Sequence, residues 1–334
     1  MNNISAVRYI LAFSVIIAHV GELMGFTNAF VFLHWPIPSY AAVGGFFALS
    51  GYLVYGSYER HPVLIDYLRR RARRILPPYV KVVILSAIGL SAISSLPWMD
   101  YFTSPEWWRY VVANLSFLNF LAPSLPGVFE GHLHTAVNGS LWTMKIEVML
   151  YLTIPLAVWL CTRLNCKTSR MAIIVYALSV GYRLLFTWLY IRTGQEIYAI
   201  LSRQFFGQLA FFFTGVWLYA SYQTFQRYRH SIALVALSLF LFSAYIPYYS
   251  IVFEPVVISL LTLYACIVGR WGSWIPVKSN VSYEMYLIHF PLIQLGIHFG
   301  LPALGYLPCL LIITAISALS AYLIKIPDSV THNS

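Results

Sequence analysis

Two residues that can hold or move a charge stand in the first apolar stretch, Arg8 and His19. Eleven positions at 100° each come to three turns and about 20°, so on a helix they share one face, about 16 Å apart along the axis. An ionisable group inside hydrocarbon is costly and marks a substrate or proton path by default, which makes His19 the leading candidate for the reacting residue. The same pattern also fits an arginine that reaches the inner headgroups and a histidine that only hydrogen-bonds a neighbouring helix. Glu147 lies two turns into a later apolar segment, about 10 Å below its outer end, against about 8 Å for His19. A carboxylate at that depth would orient the imidazole and raise its basicity, as deprotonation of a hydroxyl requires. The other reading of Glu147 is a structural ion pair with Lys145 or another buried cation.

Five arginines fall within six positions at Arg69, Arg70, Arg71, Arg73 and Arg74. The planar guanidinium fork suits bidentate phosphate binding, so the run reads either as the seat of a phosphate-bearing cytoplasmic donor or as an anchor on anionic lipid headgroups. His289, about 10 Å from the inner face in its span, either lines the access path of that donor or joins two helices by a hydrogen bond. His132 and His134 have a spacing that suits a metal, but no carboxylate or cysteine cluster accompanies them, so no metal is expected. Cys161, Cys166, Cys266 and Cys309 read as small packing residues. No glycine-rich phosphate loop, nucleophile elbow or cysteine–histidine pair is present.

The elements that must position these groups follow from composition. Of 334 residues, 60% are hydrophobic and only 10% charged, where soluble chains carry about 25% charged residues. The expected fold is an all-α polytopic integral membrane protein, a single transmembrane domain over 1–334 with no appended soluble domain and no cleaved leader. Apolar runs mark about ten spans, at 4–24, 40–58, 75–96, 141–161, 171–191, 204–222, 231–248, 252–269, 282–300 and 302–324. With both termini cytoplasmic, 14 of the 21 lysines and arginines, Lys278 and Lys325 among them, fall in inner loops and three in outer ones. The formal charge of +10 therefore reflects insertion topology and contact with membrane lipids, not nucleic-acid binding. The long outer loop at 97–140 is rich in Trp, Tyr, Phe and Pro and is expected along the outer interface, where it would also suit a cavity lid. The Asn-Gly-Ser at Asn138 matches a glycosylation acceptor, a short and common pattern.

Four stretches together resemble the membrane-bound acyltransferase 3 family. They are the Arg8 to His19 pattern, Phe46-Phe47-Ala48-Leu49-Ser50-Gly51-Tyr52 followed by Arg70-Arg71-Ala72-Arg73-Arg74-Ile75-Leu76-Pro77, the Gly139 to Glu147 segment, and Ser282-Tyr283-Glu284-Met285-Tyr286-Leu287-Ile288-His289-Phe290-Pro291. The resemblance covers essentially the whole chain. It implies a multi-pass enzyme of the bacterial inner membrane that moves an acyl group, usually acetyl from acetyl-CoA, onto a hydroxyl of O-antigen, exopolysaccharide or a lipid-linked oligosaccharide. By matching position His19 is implied as the family's essential histidine, Arg8 as its amino-terminal arginine, and Arg71 with Arg74 as the pair associated with the acyl donor. The site then comprises His19 and Glu147 as catalytic residues, Arg8, Arg70, Arg71, Arg73, Arg74 and His289 around acetyl-CoA, and Ser140 and Trp142 toward the acceptor. Two positions depart from the family pattern. Gly44 stands where some members carry an aspartate ahead of the double phenylalanine, and Lys325-Ile326-Pro327 stands where a glutamate often precedes a proline. The rival class is a secondary transporter or exporter, which should show related halves with interrupted helices.

Overall fold

In the computed structural model the described residues are 3–26, 37–275 and 280–325, and among these all regular structure is helical. Both termini, Lys278 and the Ile326-Pro327 pair lie outside the described residues. In chain order the helices are α1 (Ile4–Leu23), α2 (Ser39–Arg60), α3 (Leu64–Gly89), α4 (Trp98–Thr103), α5 (Pro105–Leu115), α6 (Trp142–Arg163) and α7 (Thr168–Thr193). There follow α8 (Glu196–Ser202), α9 (Phe205–Ala220), α10 (Tyr222–Leu241), α11 (Tyr249–Val252), α12 (Glu254–Ile267), α13 (Ser282–His298) and α14 (Tyr306–Ile324).

All ten apolar runs fall on helix, but among the described residues only five helices combine the length and apolarity to cross a bilayer: Ile4–Leu23, Leu64–Ile93, Gly139–Arg163, Thr168–Thr193 and Tyr306–Ile324. A crossing of the hydrocarbon takes about 20 residues. At 16, 14 and 17 residues, α9, α12 and α13 fall short of that length. α10 is broken at Tyr228, and α2 is diluted by glycine, serine and tyrosine. The long helices present apolar side chains outward, Leu178 and Ile191 on α7 at 70% exposure and Leu323 on α14 at 84%. Surfaces of this kind belong in lipid.

The chain divides into two compact units. The first comprises Met1–Val7, Tyr40–Leu68 and Ile146–Trp274. Within it α2 and α9 touch backbone to backbone, because the small residues of the Phe46 to Tyr52 region leave no side chain in the way. A Cβ added at Gly51 would lie 2.0 Å from the Phe212 carbonyl oxygen, and one at Gly215 2.0 Å from that of Ala48. Gly44 packs against the Phe211 ring, which fills the space a side chain would need.

The second unit comprises Arg8–Ser39, Arg69–Lys145 and Ile275–Ser334. Its core joins α1, α13 and α14 through Ile16, Ile17, Val20, Met285, Ile293, Cys309 and Ile313. Two ties fix the direction of α1 against α13. The Val281 N–H donates to Tyr9 Oη at 3.0 Å near the start of both helices, and His19 meets His289 further along both, so the two run parallel. The Tyr306 hydroxyl at the start of α14 donates to the Ile17 carbonyl at 3.2 Å, which brings α14 back antiparallel. The aromatic segment after α3 folds onto that helix. Tyr101 Oη and Trp107 Nε1 both donate to the Ala87 carbonyl, at 2.8 and 2.9 Å, satisfying a helix end that would otherwise lack a partner.

Candidate active site

α1 presents Arg8 and His19 as its periodicity predicts, and the partner of His19 is His289 on α13. His19 Nδ1 lies 2.7 Å from His289 Nε2. The ring centroids are 5.0 Å apart with 11° between the planes, so the rings meet edge to edge in nearly one plane, the geometry of an in-plane lone pair accepting an N–H. Two imidazolium rings could not approach this way, since a contact this short needs one nitrogen without a proton.

The direction of that hydrogen bond follows from the next contact. His289 Nδ1 lies 2.8 Å from the Tyr286 carbonyl oxygen, which only accepts, so Nδ1 carries the hydrogen. In the neutral ring Nε2 is then the acceptor, His19 Nδ1 is the donor, and His19 Nε2 is left with the basic lone pair. His289 is fully buried, and Phe290 stands edge-on to the His19 ring at 5.5 Å.

α13 can hold this arrangement because of Pro291. Proline has no N–H to offer the carbonyl four residues back, so the Leu287 oxygen loses its helical partner. Asn138 supplies one, its Nδ2 donating to Leu287 O at 2.7 Å. The Asn138 Oδ1 accepts from the Ser140 N–H at 3.3 Å and the Ser140 hydroxyl at 2.6 Å. Asn138 is thus a buried structural link and its amide is not open to a glycan. Next to it Gly139 lets the chain pass close to Phe290, where a Cβ would come within 2.8 Å of the ring. The Tyr286 hydroxyl meets Thr143 Oγ1 at 2.9 Å and the Ser140 carbonyl at 3.3 Å. Further out, Gln294 donates to the carbonyls of His134 and Ala136 at 2.6 and 2.8 Å, and its Oε1 meets His132 Nδ1 at 2.9 Å. The segment carrying Ser140 and Trp142 is therefore tied to α13 above and below His289, with Trp142 half-buried at the first position of α6.

The arginine run occupies the amino-terminal turns of α3 just before Pro77 and Pro78, which remove the helical partners of the Arg73 and Arg74 carbonyls. The Tyr283 hydroxyl reaches this bend, donating to Ile75 O at 3.2 Å. Tyr283 and His289 are six residues apart on α13, about 9 Å of helix rise, so one helix touches both the end of the arginine run and the imidazole pair. Within the run the Arg70 Nε and Nη2 are buried and meet no hydrogen-bond acceptor among the described residues. Buried guanidinium donors left unmet cost more than most polar groups, and a phosphate oxygen satisfies them.

Glu147 sits in the first unit and accepts from the Tyr151 hydroxyl and, at 3.4 Å, from Ser50 Oγ of α2. Lys145, in the second unit, lies over the Phe120 ring at 4.6 Å.

The family profile described as Acyltransferase domain matches residues 1–325. The chain belongs to the acyltransferase 3 family. Among curated relatives, the acyltransferase 3 chain is 29% identical over 163 residues to an O-acetyl transferase of Shigella phage Sf6, a match covering 47% of this chain and 46% of the relative. It is 27% identical over 173 residues to Nodulation protein 10 of Rhizobium leguminosarum bv. viciae, covering 47% and 45%. The chain thus spans about half the length of the curated relatives it matches. No solved structure matches it.

The sequence singles out His19, His289 and the arginine run of the second unit, but not which of them pair. For His289 the sequence leaves open the donor's path or a hydrogen bond between two helices, and the structure shows the latter; for His19 it proposes a carboxylate neighbour, where the structure puts His289. Asn138 and Gln294 were missed as organisers, although Pro291 four residues after Leu287 is a readable signal that some side chain must supply the missing donor.

Proposed function

We propose that the protein is a multi-pass O-acetyltransferase of the bacterial inner membrane that moves acetyl from acetyl-CoA onto a hydroxyl of a cell-surface or lipid-linked glycan such as O-antigen or exopolysaccharide. About ten membrane crossings with both termini cytoplasmic accord with the parallel course of α1 and α13, the first and ninth apolar runs, which must cross in the same direction. Acetyl-CoA presents its phosphates to the arginine run, where the unmet donors of Arg70 are the attractive element. Its thioester arm extends along α13 toward the imidazole pair.

The single observation carrying the chemistry is the oriented imidazole pair, which leaves His19 Nε2 unprotonated. His19 Nε2 takes the proton of the acceptor hydroxyl as its oxygen attacks the thioester carbonyl. The C–S bond then breaks, and the departing sulfur takes that proton from the imidazolium. The ester is formed, coenzyme A is released as the thiol, and His19 returns to its starting state. The O-acetyl transferase relative supports acetyl as the group and a hydroxyl as the acceptor.

The test is purified protein in nanodiscs with radiolabelled acetyl-CoA and a panel of lipid-linked glycans. His19→Ala should lower covalent label transfer by about 10² to 10⁴-fold, the range of a lost general base, with membrane abundance unchanged. Arg70→Gln together with Arg74→Gln should raise the acetyl-CoA KM by about tenfold or more, as loss of charge-assisted hydrogen bonds predicts. Label that crosses the bilayer without entering a glycan would replace this reading with a transporter.

A further inference from the structure

We infer that His289 is a positioning residue that locks His19 in its Nδ1–H tautomer, so that Nε2 and not Nδ1 is the atom that takes the acceptor's proton. The inference rests on the acyl-transfer reading above and changes the assignment of one residue in it, from a contact of the acyl donor to a second imidazole behind the base.

A neutral imidazole has two tautomers of similar energy, and only one puts the lone pair toward substrate. A histidine base therefore works at full rate only if something holds the proton on the far nitrogen. In this protein that constraint is built in series, with every step one-directional. The Tyr286 carbonyl can only accept, which fixes the proton of His289 on Nδ1. His289 Nε2 can then only accept, which fixes the proton of His19 on Nδ1. Reversing the chain would leave a carbonyl facing a nitrogen lone pair around the fully buried His289, an unfavourable contact with no compensating hydrogen bond.

The surroundings hold the two rings in that register. Asn138 closes the gap that Pro291 opens at Leu287 O, two residues from His289. Phe290, confined by the close passage of Gly139, buttresses the face of His19. When His19 becomes imidazolium during the reaction, its Nδ1–H bond to His289 becomes charge-assisted and strengthens, so the same contact favours the transition state over the ground state. The His289 edge that faces His19 is occupied by this contact, and its other nitrogen by Tyr286, leaving no polar atom of the ring to hold acetyl-CoA.

The experiment compares His289→Leu with His289→Gln in the full-length protein. Glutamine places an amide oxygen near the position of Nε2 and accepts from His19 Nδ1–H; leucine cannot. His289→Leu should lower kcat by about 10²-fold or more while the acetyl-CoA KM stays within twofold, and His289→Gln should recover at least a tenth of the wild-type kcat. A raised acetyl-CoA KM with kcat kept, or equal kcat in both variants, would overturn the inference. Because His289→Leu removes a buried ring and can fail to fold, ¹⁵N NMR of histidine-labelled wild-type protein is the second measurement. Nδ1–H in His19 is expected, and Nε2–H would overturn it. Wild-type protein that transfers no acetyl group would refute the function reading alone, since the tautomer measurement stands without turnover.

Discussion

Two places in this protein, the α2–α9 seam with Glu147 in the first unit and the imidazole pair with the arginine run in the second, treat their polar groups in opposite ways. In the first, α2 and α9 approach until glycine faces carbonyl oxygen, and the carboxylate of Glu147 is held by two hydroxyls of its own unit. In the second, the hydrogen bonds are strung head to tail from His19 through His289 to Tyr286 and leave a lone pair at one end, while Arg70 leaves guanidinium donors without an acceptor. Saturated contacts hold helices together. A directed chain with an open end, and guanidinium nitrogens that meet no hydrogen-bond partner among the described residues, suit a site that must receive a hydroxyl and a phosphate.

If the first unit is held by its glycine seam, the largest structural effect in the molecule should come from filling it. Gly215→Leu drives a side chain into the Ala48 carbonyl, and neither partner is a flexible side-chain end that can swing away. Overpacking costs about 1–3 kcal/mol where side chains can adjust, and this contact is backbone on both sides. The expected outcome is loss of monodisperse protein in detergent, read by size-exclusion chromatography. Gly139→Ala in the second unit meets only the edge of the Phe290 ring. That variant should remain folded while its acetyl transfer falls. A Gly215→Leu protein that elutes and melts like the wild type would show that the seam is not what joins these helices.

How much of this could be read from the chain alone depended on whether the signal was one-dimensional. Each of the ten apolar runs falls on helix, because burial in lipid writes a continuous hydrophobic stretch, but among the described residues only five helices are long and apolar enough to cross a bilayer. The shared face of Arg8 and His19 was legible because it depends only on 3.6 residues per turn. So was the close approach at Gly51, since a helix carrying small residues through an apolar run invites backbone contact. Depth along a helix, by contrast, says nothing about which way a side chain points across to its neighbour. Helix rise alone leads to an expectation of similar depths for Glu147 and His19, yet the group that takes His19 Nδ1 is His289, a pairing of residues 270 positions apart. The shortness of α9, α12 and α13 was hidden for a related reason, since an apolar run continues through the turns that end a helix.

At Gln294 the second unit, too, uses saturated bonds. One side chain donates to two carbonyls of the segment at 134–136 and meets His132, and it is 1% exposed. Gln294→Leu is nearly equal in volume but leaves those groups without their partner. Stability should fall by about 1–3 kcal/mol, since these part-buried groups lose their partner. Thermal melting of the purified protein measures the loss, and limited proteolysis should locate new cleavage between Ser116 and Asn138. An unchanged melting temperature with unchanged cleavage would mean that the outer segment is held by its apolar contacts alone.

The smallest effect should come where the same kind of bond meets water. At the exposed start of α5, Ser104 Oγ accepts from the Glu106 and Trp107 N–H groups at 3.1 and 3.3 Å and donates to Glu106 Oε2 at 2.7 Å, with Pro105 in the first turn. The Ser104 hydroxyl, and after it the Glu106 backbone N–H, hold the Glu106 carboxyl below its ordinary value. A depressed carboxylate stabilises the folded form at pH values above the ordinary glutamate range, and that contribution is lost as pH falls through the lowered folded value. Ser104→Ala should cost about 1 kcal/mol at neutral pH, the usual price of an N-cap. It should also move the Glu106 titration upward toward the ordinary range, read by NMR of ¹³C-labelled glutamate. Water competes for every partner here, so the loss should be smaller than at Gln294 although both residues make three hydrogen bonds. Equal losses at the two sites would mean that burial does not set the strength of these contacts, and the contrast between saturated and open polar groups would lose its physical basis.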